Sequence, residues 1–311
     1  MRQQQDRYPD AGVGTERGYV LVIVMGLLAI LGVMSLSLRA ATHTSLEQTR
    51  HLQDAIAAEF LAKAGIDWTR HYLHQLERQD IMWQAPWSGQ EATFHGHKLG
   101  PGAFDISYRG AAGTLHPGLQ DEEARLHINT VPVGALAALP GMGQERAQAI
   151  VAARQQTPWR TPEELVQRGF IAPELWQGSA DQIGLHAYLT TWGSGKINVN
   201  TAPSAVLAAL PGSTPALVEA LIRYRQGADQ QWGTADDRHF RTLQEIDTVP
   251  GMDHPALERL TTLLTVTSSA FRFVATGRIA RQALPVHTHQ RFAVLERLAN
   301  TTALRYWRQV E

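Results

Sequence analysis

An uninterrupted apolar run near the start of the chain constrains the fold more than any other feature. Residues 19–38 form a stretch of 20 residues without a charged side chain. A helix of that length spans about 30 Å, the thickness of the hydrocarbon layer of a bilayer. A buried helix of a soluble protein seldom runs this far without a polar stripe. The run therefore predicts one membrane-spanning helix, and the alternative is a signal sequence cleaved near Ala40 or Ala41.

The segment before the apolar run carries a second signal. Residues 1–18 are polar and end in Glu16, Arg17 and Gly18. A polar leader, a glycine and then a hydrophobic helix resemble the type IV prepilin signal. In that family a membrane peptidase cuts after the glycine and methylates the new N-terminus. The resemblance implies processing between Gly18 and Tyr19, and the alternative is an ordinary signal anchor with a glycine at its edge.

The fifth position after Gly18 departs from the usual prepilin pattern. Most pilin-like proteins have a glutamate there, which is thought to neutralise the N-terminal amine of a neighbouring subunit, whereas this chain has Ile23. A subunit without that carboxylate is poorly suited to lie beneath another subunit. The substitution therefore favours a position at the tip of a filament.

A helical pattern continues beyond the apolar run. From residue 52 apolar side chains recur at every fourth position, with charged residues in the gaps, and we expect a sheet to cover this stripe. Its members are Leu52, Ile56, Phe60, Ala64, Trp68, Tyr72 and Leu76. The pattern predicts one continuous helix from residue 19 to about residue 79. The alternative is a break near residues 40–42.

Alternating patterns predict β-strands on both sides of a helical region. The predicted strands are residues 103–108, 125–129, 264–279 with a bend near residue 268, 286–298 and 304–307. Strands at both ends with helices between them predict one sheet interrupted by an insert. The expected fold class is α+β: a long N-terminal helix on an antiparallel sheet, as in pilins, with a large inserted all-α domain.

The expected domain boundaries follow from these elements. They are a leader at residues 1–18, a membrane helix at 19–38, the continuing helix and first strands at 39–127, the insert at 128–262, and closing strands at 263–311.

The insert contains a duplication. Residues 129–141 and 200–212 share nine of thirteen residues at an offset of 71. The match resumes between residues 161–165 and 242–246, so the second copy has an insertion near residue 230. Two repeats at a fixed offset predict two copies of one structural unit. The copies cover about residues 128–178 and 199–262.

Each copy resembles a helix-hairpin-helix motif. We expect Asn129 and Asn200 to cap the first helix of each copy, and a Pro-Gly turn to follow it. The candidate hairpin glycines are Gly141, Gly143 and Gly212. Such hairpins present backbone amides to phosphates in DNA-binding proteins. A membrane-anchored DNA-binding protein of a competence or DNA-uptake apparatus is therefore an alternative.

The charge of the insert argues against nucleic acid as a partner. Residues 128–262 contain ten lysines and arginines against 13 acidic residues. A module that binds phosphate mainly by electrostatics should instead be basic. The chain has no cysteine and no nucleophile elbow, phosphate loop or dinucleotide fingerprint, so we expect no enzymatic activity and assign no catalytic residue.

Taken together, the features resemble the K-type minor pseudopilin of type II secretion systems. They are the prepilin-like start without a glutamate at Ile23, the Lys-Ile-Asn-Val-Asn-Thr-Ala-Pro segment at 196–203, and the closing strands with Tyr306 and Trp307. The family usually has an acidic Trp-Asp stretch after its first helical unit, and this chain lacks it there. Only the second copy has a similar loop, around residues 229–237.

The resemblance implies a non-enzymatic role in protein export. The subunit would lie at the tip of the periplasmic pseudopilus and help to initiate assembly. Its partners would be the I- and J-type minor pseudopilins, the major pseudopilin and the prepilin peptidase. It would cross the inner membrane once, with a cytoplasmic N-terminus and a periplasmic body.

The resemblance also implies calcium as a cofactor, since the K-type family binds it. The candidate ligands are Asp229, Asp236 and Asp237 in the loop of the second copy. The alternative, which these residues favour, is a solvated acidic turn. No other cofactor is expected.

Overall fold

A computed structural model of the chain describes most of its residues. They are residues 16–76, 91–110, 113–179, 181–232, 234, 236–281, 286–299 and 301–310. The chain divides into two units, Met1–Asp54 and Ala55–Glu311.

The first unit consists, in its described part, of the beginning of one long helix. Helix α1 is Glu16–Gln75 and has 60 residues. Its continuity through residues 40–42 confirms the predicted single helix, although the helix ends a few residues earlier than expected. The segment Tyr19–Gln75 includes a stretch that is long and apolar enough to cross a membrane, and no residue of that stretch is buried. This exposed apolar surface fits a single membrane anchor.

The described part of the second unit contains a seven-stranded antiparallel sheet. Its strands are β1 (His97–Leu99), β2 (Gly102–Arg109), β3 (Leu115–Pro117), β4 (Gln120–Asp121), β9 (Ala270–Ile279), β10 (His287–Arg297) and β11 (Thr302–Val310). The order is β1-β2-β9-β10-β11, with β3 paired to β2 and β4 paired to β9. A short helix, α2 (Glu91–Phe94), precedes β1. Strands from before and after the insert therefore share one sheet, as the sequence predicts.

Three predicted strands differ from the observed ones. The strand predicted at residues 125–129 shrinks to β5 (Leu126–His127), which lies outside the main sheet. The segment 264–279 splits into β8 (Leu264–Thr265) and β9, with the break near residue 268 as expected. The last strand, β11, is longer than predicted because it pairs with β10 over nearly its whole length.

The face of α1 that packs on the sheet matches the predicted stripe only in its lower part, where Ala64, Trp68, Tyr72 and Leu76 pack against the core. The buried hydrophobic residues of the helix are Ala58, Leu61, Ala62, Ile66 and Leu73, whereas the side chains of Ile56 and Phe60 are 45% and 61% exposed. Four residues turn an α-helix about 40° further than a full turn, so a row at every fourth position winds around the helix. The predicted stripe was wrong in its upper part for this reason.

Glycine allows the helix and the sheet to approach closely. A Cβ atom on Gly277 of β9 would overlap the backbone of Ala58 and Ala62 in α1. A Cβ on Gly102 of β2 would meet Leu61 Cδ1 at 2.6 Å. At Gly277 the backbone of the helix lies against that of β9, and at Gly102 a side chain of the helix lies against β2, and only a residue without a Cβ permits these approaches.

The insert is mainly helical and has a hydrophobic core of its own. Its helices are α3 (Val133–Ala137), α4 (Gln144–Gln156), α5 (Glu164–Gln167), α6 (Pro173–Gln177), α7 (Ser204–Ala209), α8 (Pro215–Arg225) and α9 (His254–Leu260). Two short strands, β6 (Leu189–Thr190) and β7 (Ile197–Asn198), depart from the expected all-α content. They form because buried extended segments between helices must pair their backbone groups.

Candidate functional site

The predicted processing site lies at the start of α1. Glu16 is the first residue of the helix, so Gly18 and Tyr19 are helical, and residues 1–15 of the predicted leader lie outside the described residues. Tyr19 is 76% exposed and Ile23 is 60% exposed. Cleavage between Gly18 and Tyr19 stays a prediction.

The three hairpin glycines lie in turns between helices. Gly141, Gly143 and Gly212 have φ values of 76°, 74° and 84°. Such positive values are rare for residues with a Cβ. Arg146 donates hydrogen bonds to the carbonyl oxygens of Gly141 and Met142, at 2.9 and 3.1 Å. The first hairpin is thus fixed by a side chain of its own second helix.

Both copies of the duplication close on themselves through a short parallel ladder. In the first copy, β5 pairs with β6, and in the second copy, β7 pairs with β8. The equivalent amides of Leu126 and Ile197 donate to the carbonyls of Tyr188 and Leu263, each at 2.8 Å. The sequence predicted the duplication but missed these strands, because two residues are too few to show a pattern.

The repeated asparagines do not cap helices, and that prediction was wrong. Asn129 Nδ2 donates to the carbonyl of Trp159 at 2.8 Å, and Asn129 Oδ1 accepts from the amide of Trp159 at 2.9 Å. Asn200 makes the same pair of bonds with Phe240, at 2.9 and 2.7 Å. The helices α3 and α7 instead begin after Pro132 and Pro203, without a side-chain cap.

A repeated arginine ties the second helix of each copy to the start of that copy. Arg154 donates to the carbonyls of Ile128 and Val131, at 2.6 and 2.8 Å. Arg225 donates to the carbonyl of Ala202 at 2.7 Å. Burial lowers the pKa of Arg225 to about 10, so it stays charged at neutral pH. The two arginines occupy equivalent positions in the two copies, and they therefore have the same structural role.

Two buried carboxylates join the sheet to both copies of the insert. Asp121 accepts hydrogen bonds from Asn198, Thr201 and Ser268. These donors come from the start of the second copy and from the segment that follows the insert. Burial raises the pKa of Asp121 to about 7, and the nearby Glu123 carboxylate is the second-largest cause of this rise.

Glu123 makes the second half of this junction. Its carboxylate accepts from the amides of Ser194, Ser269 and Ala270, at 3.2, 3.1 and 3.1 Å. The segment 121–123 therefore contacts the chain where it passes from the first copy to the second and where it returns from the second copy to β9. Three successive acidic residues were the only sequence signal, and an acidic run more often marks a solvated surface.

A buried ion group lies beside the junction. Glu122 is fully buried, with Arg125 Nη1 at 3.7 Å and Arg272 Nε at 3.5 Å from its Oε1. Burial raises the pKa of Glu122, and the positive charge of Arg125 opposes that shift. Buried charges of opposite sign persist because each compensates the desolvation of the other.

The calcium candidates use their oxygens within their own loop. Asp236 accepts from the amides of Ala228 and Asp229, at 2.6 and 3.0 Å, and from the hydroxyl of Thr234 at 2.8 Å. The hydrogen bond from the Thr234 hydroxyl is the largest cause that lowers the pKa of Asp236 to about 2, and the hydrogen bond from the Asp229 amide is the second.

These aspartates do not assemble a metal site in the described residues. The part of the chain that the structure describes has no group of three or more His, Asp or Glu side chains that could hold a metal ion. A calcium ion takes six to eight oxygens, and the oxygens of Asp236 face backbone amides instead. The loop geometry thus matches the acidic-turn alternative, and calcium binding stays a prediction.

Comparison with known proteins points to one family. Residues 126–182 and 197–267 match the family model of type II secretion system protein K. No curated protein matches the chain significantly.

One solved structure is similar over most of the chain. It is a chain of the GspK-GspI-GspJ complex from the type 2 secretion system of enterotoxigenic Escherichia coli, with a TM-score of 0.48 and 17% sequence identity. The similarity covers 87% of this chain and 99% of that chain. The fold described above rests on the helices and strands of this chain, not on that superposition.

The two matched segments cover most of the two structural copies. The first spans β5 to α6 and ends before β6, and the second spans β7 to just beyond β8. The family model thus matches both bridging asparagines and the whole second ladder, but only β5 of the first ladder. The duplicated region of this chain is therefore similar to type II secretion system protein K.

Proposed function

We propose that this chain lies at the tip of the periplasmic pseudopilus of a type II secretion system, where it helps to initiate assembly and protein export. The family match of the duplicated region supports the secretion role. The main observation in favour of the position at the tip is that the fifth residue after Gly18 is Ile23.

The absent carboxylate disfavours a neighbour above this subunit. After cleavage, the N-terminus of each added subunit would be a charged amine inside the hydrocarbon layer. A charge without a partner in the bilayer costs several kcal/mol. Ile23 cannot neutralise that amine, so a filament would grow beneath this subunit and not on top of it.

The insert gives a second, steric reason. It adds a separate hydrophobic core to the sheet, between β4 and β9. A further subunit stacked on this one would have to accommodate that extra domain. Both reasons favour one copy, or very few, in each filament.

The proposed partners are the I- and J-type minor pseudopilins, followed by the major pseudopilin. The similar E. coli chain was solved in a complex named for K, I and J proteins. The proposed location is the inner membrane, crossed once by α1, with the leader in the cytoplasm and the sheet in the periplasm. The role is structural, and the prepilin peptidase would supply the only chemistry.

Counting subunits tests the position at the tip. The chain and the major pseudopilin are quantified together in sheared filaments by mass spectrometry with labelled standards. We expect a small fraction of the major subunit, and an abundance comparable to it would contradict the proposal. Ile23→Glu should insert into the membrane and still remain at low abundance, because the insert still blocks stacking.

A further inference from the structure

A cleft lies between the sheet and the first copy of the insert. It has a volume of about 590 Å³. Cavities of this size bind small molecules or single side chains of a partner. No function described above uses it.

The floor of the cleft is a row of side chains across the sheet. Val274, Phe292 and Arg308 are successive cross-strand partners on β9, β10 and β11. The guanidinium of Arg308 lies 5.3 Å from the ring centre of Phe292. The floor is therefore apolar in its middle and cationic at its edge.

The roof of the cleft is aromatic and belongs to the insert. It includes Trp176 and Trp192. Trp192 lies 6.4 Å from Phe292 and 5.5 Å from Tyr306, measured between ring centres. Tryptophan, tyrosine and arginine are the residues most enriched at the energetic centres of protein interfaces.

Two arginines at the cleft differ from most others of the sheet. Four sheet arginines each have a carboxylate partner, in the pairs Arg272–Glu122, Arg278–Asp105, Arg291–Glu59 and Arg305–Glu296. Arg109 donates to the carbonyl of Gly113 at 3.3 Å, and Arg308 stacks on Phe292. Among the described residues, no carboxylate lies within ion-pair distance of Arg109 or Arg308. Both line the cleft, as do the carboxylates of Glu163 and Asp181, which form no ion pair with them, so the two guanidinium charges are available to a carboxylate from another molecule.

We propose that this cleft binds a short extended peptide segment of a partner protein, with an apolar side chain between carboxylates. The apolar side chain would pack against the edges of Phe292 and Trp192, and the carboxylates would pair with Arg308 and Arg109. From β2 to β11 the cleft crosses three strand spacings, about 14 Å, which four extended residues span. The proposal is independent of the position of the chain in the filament.

Peptide binding to the full-length protein in detergent tests the proposal. The probe is a fluorescein-labelled heptapeptide of alternating aspartate and leucine, and its counterpart has lysine in place of aspartate. We expect saturable anisotropy changes with the acidic peptide only, after subtraction of binding to empty micelles. Arg308→Gln should weaken binding about tenfold, because it removes a charge-assisted contact.

A matched variant on the same strand distinguishes the loss of this contact from the general effect of removing one positive charge. Arg305 already pairs with Glu296, so Arg305→Gln should leave the affinity unchanged. Arg109→Gln provides a second test should Arg308→Gln fold poorly, as judged from its unfolding temperature. Absence of binding, equal binding of both peptides, or equal effects of Arg308→Gln and Arg305→Gln would each overturn the proposal.

Discussion

Asn129 exchanges two hydrogen bonds with the backbone of Trp159, 30 residues further along the chain. Asn200 and Phe240 repeat this relationship in the second copy across 40 residues. The extra ten residues of the second copy therefore leave the bridge intact. The amide side chain fixes the distance between the first helix of each copy and the segment after the second.

Removing the bridge should destabilise the insert. Asn129→Ala and Asn200→Ala each leave a backbone donor and acceptor without partners, at a cost of about 1–3 kcal/mol. The loss should be larger at Asn200, which is 8% exposed and also donates to the carbonyl of Val266. Thermal unfolding of the full-length protein in detergent measures which of the two variants loses more stability. Thr130→Ala, at an exposed neighbour, should change little, and a larger loss there than at Asn200 would refute this role.

Packing of α1 on the sheet should depend on one glycine. Gly277→Ala places a Cβ on the backbone of Ala58, and moving that backbone should cost about 3 kcal/mol or more. Gly134→Ala is the matched control, because the position is exposed in α3 with no atom within 4 Å of the added Cβ. It should be neutral or add about 0.5–1 kcal/mol. Equal unfolding temperatures for the two variants would show that α1 does not need the close approach.

Stability should depend on pH through the buried junction. The pKa of Asp121 is raised to about 7 in the folded state, above its ordinary value of 3.8. The folded state thus holds this proton more tightly, so the contribution to stability is present at low pH and is lost as the pH rises through about 7. We expect the unfolding temperature to fall from about pH 5 to about pH 8.

Asp121→Asn tests the assignment of this titration. The variant should be less stable overall, but its unfolding temperature should vary less over the same pH range. Asp67→Asn, at an exposed carboxylate on α1, should keep the wild-type slope. Equal slopes in wild type and Asp121→Asn would show that another group titrates.

The N-terminus should be processed. Mass spectrometry of the mature protein from cells with active prepilin peptidase should show a methylated Tyr19 as the first residue. Gly18→Ala should accumulate the uncleaved form, because the peptidase must accommodate an added Cβ. An intact leader in the wild type, or a first residue near Ala41, would contradict this expectation.

The protein should not bind DNA near physiological salt. The balance of ten basic and 13 acidic residues in the insert provides little counterion release. Filter binding with labelled duplex DNA tests this directly. Micromolar affinity with a steep salt dependence would instead favour the DNA-uptake alternative.

Features that repeat along the chain could be predicted from the sequence. The apolar run predicted the exposed part of α1, and the alternation around residue 105 predicted β2. The duplication predicted two equivalent units, and each copy has a short parallel ladder at the equivalent position. Each of these signals depends on neighbouring residues or on a repeated offset, and both are visible without coordinates.

Contacts between distant residues could not be predicted in this way. Asp121 accepts from Ser268, 147 residues away, and no local pattern distinguishes that buried carboxylate from a solvated one. Asn129 looked like a helix cap because asparagine commonly caps helices, and only the fold brings Trp159 beside it. The upper part of the predicted stripe on α1 was wrong for a geometric reason, since a spacing of four residues drifts around a helix.

The sheet also constrains how such a protein can evolve. The chain leaves β4 at Asp121 and returns to β9 at Phe271, and these two residues are cross-strand partners. The insert therefore occupies the position of a loop between two paired strands. The entropic cost of closing a loop rises only slowly with loop length. A lineage can therefore enlarge, trim or exchange this module without changing strand register. The acidic segment 121–123 and the hydroxyl and amide groups that donate hydrogen bonds to it must be retained whenever the module is retained.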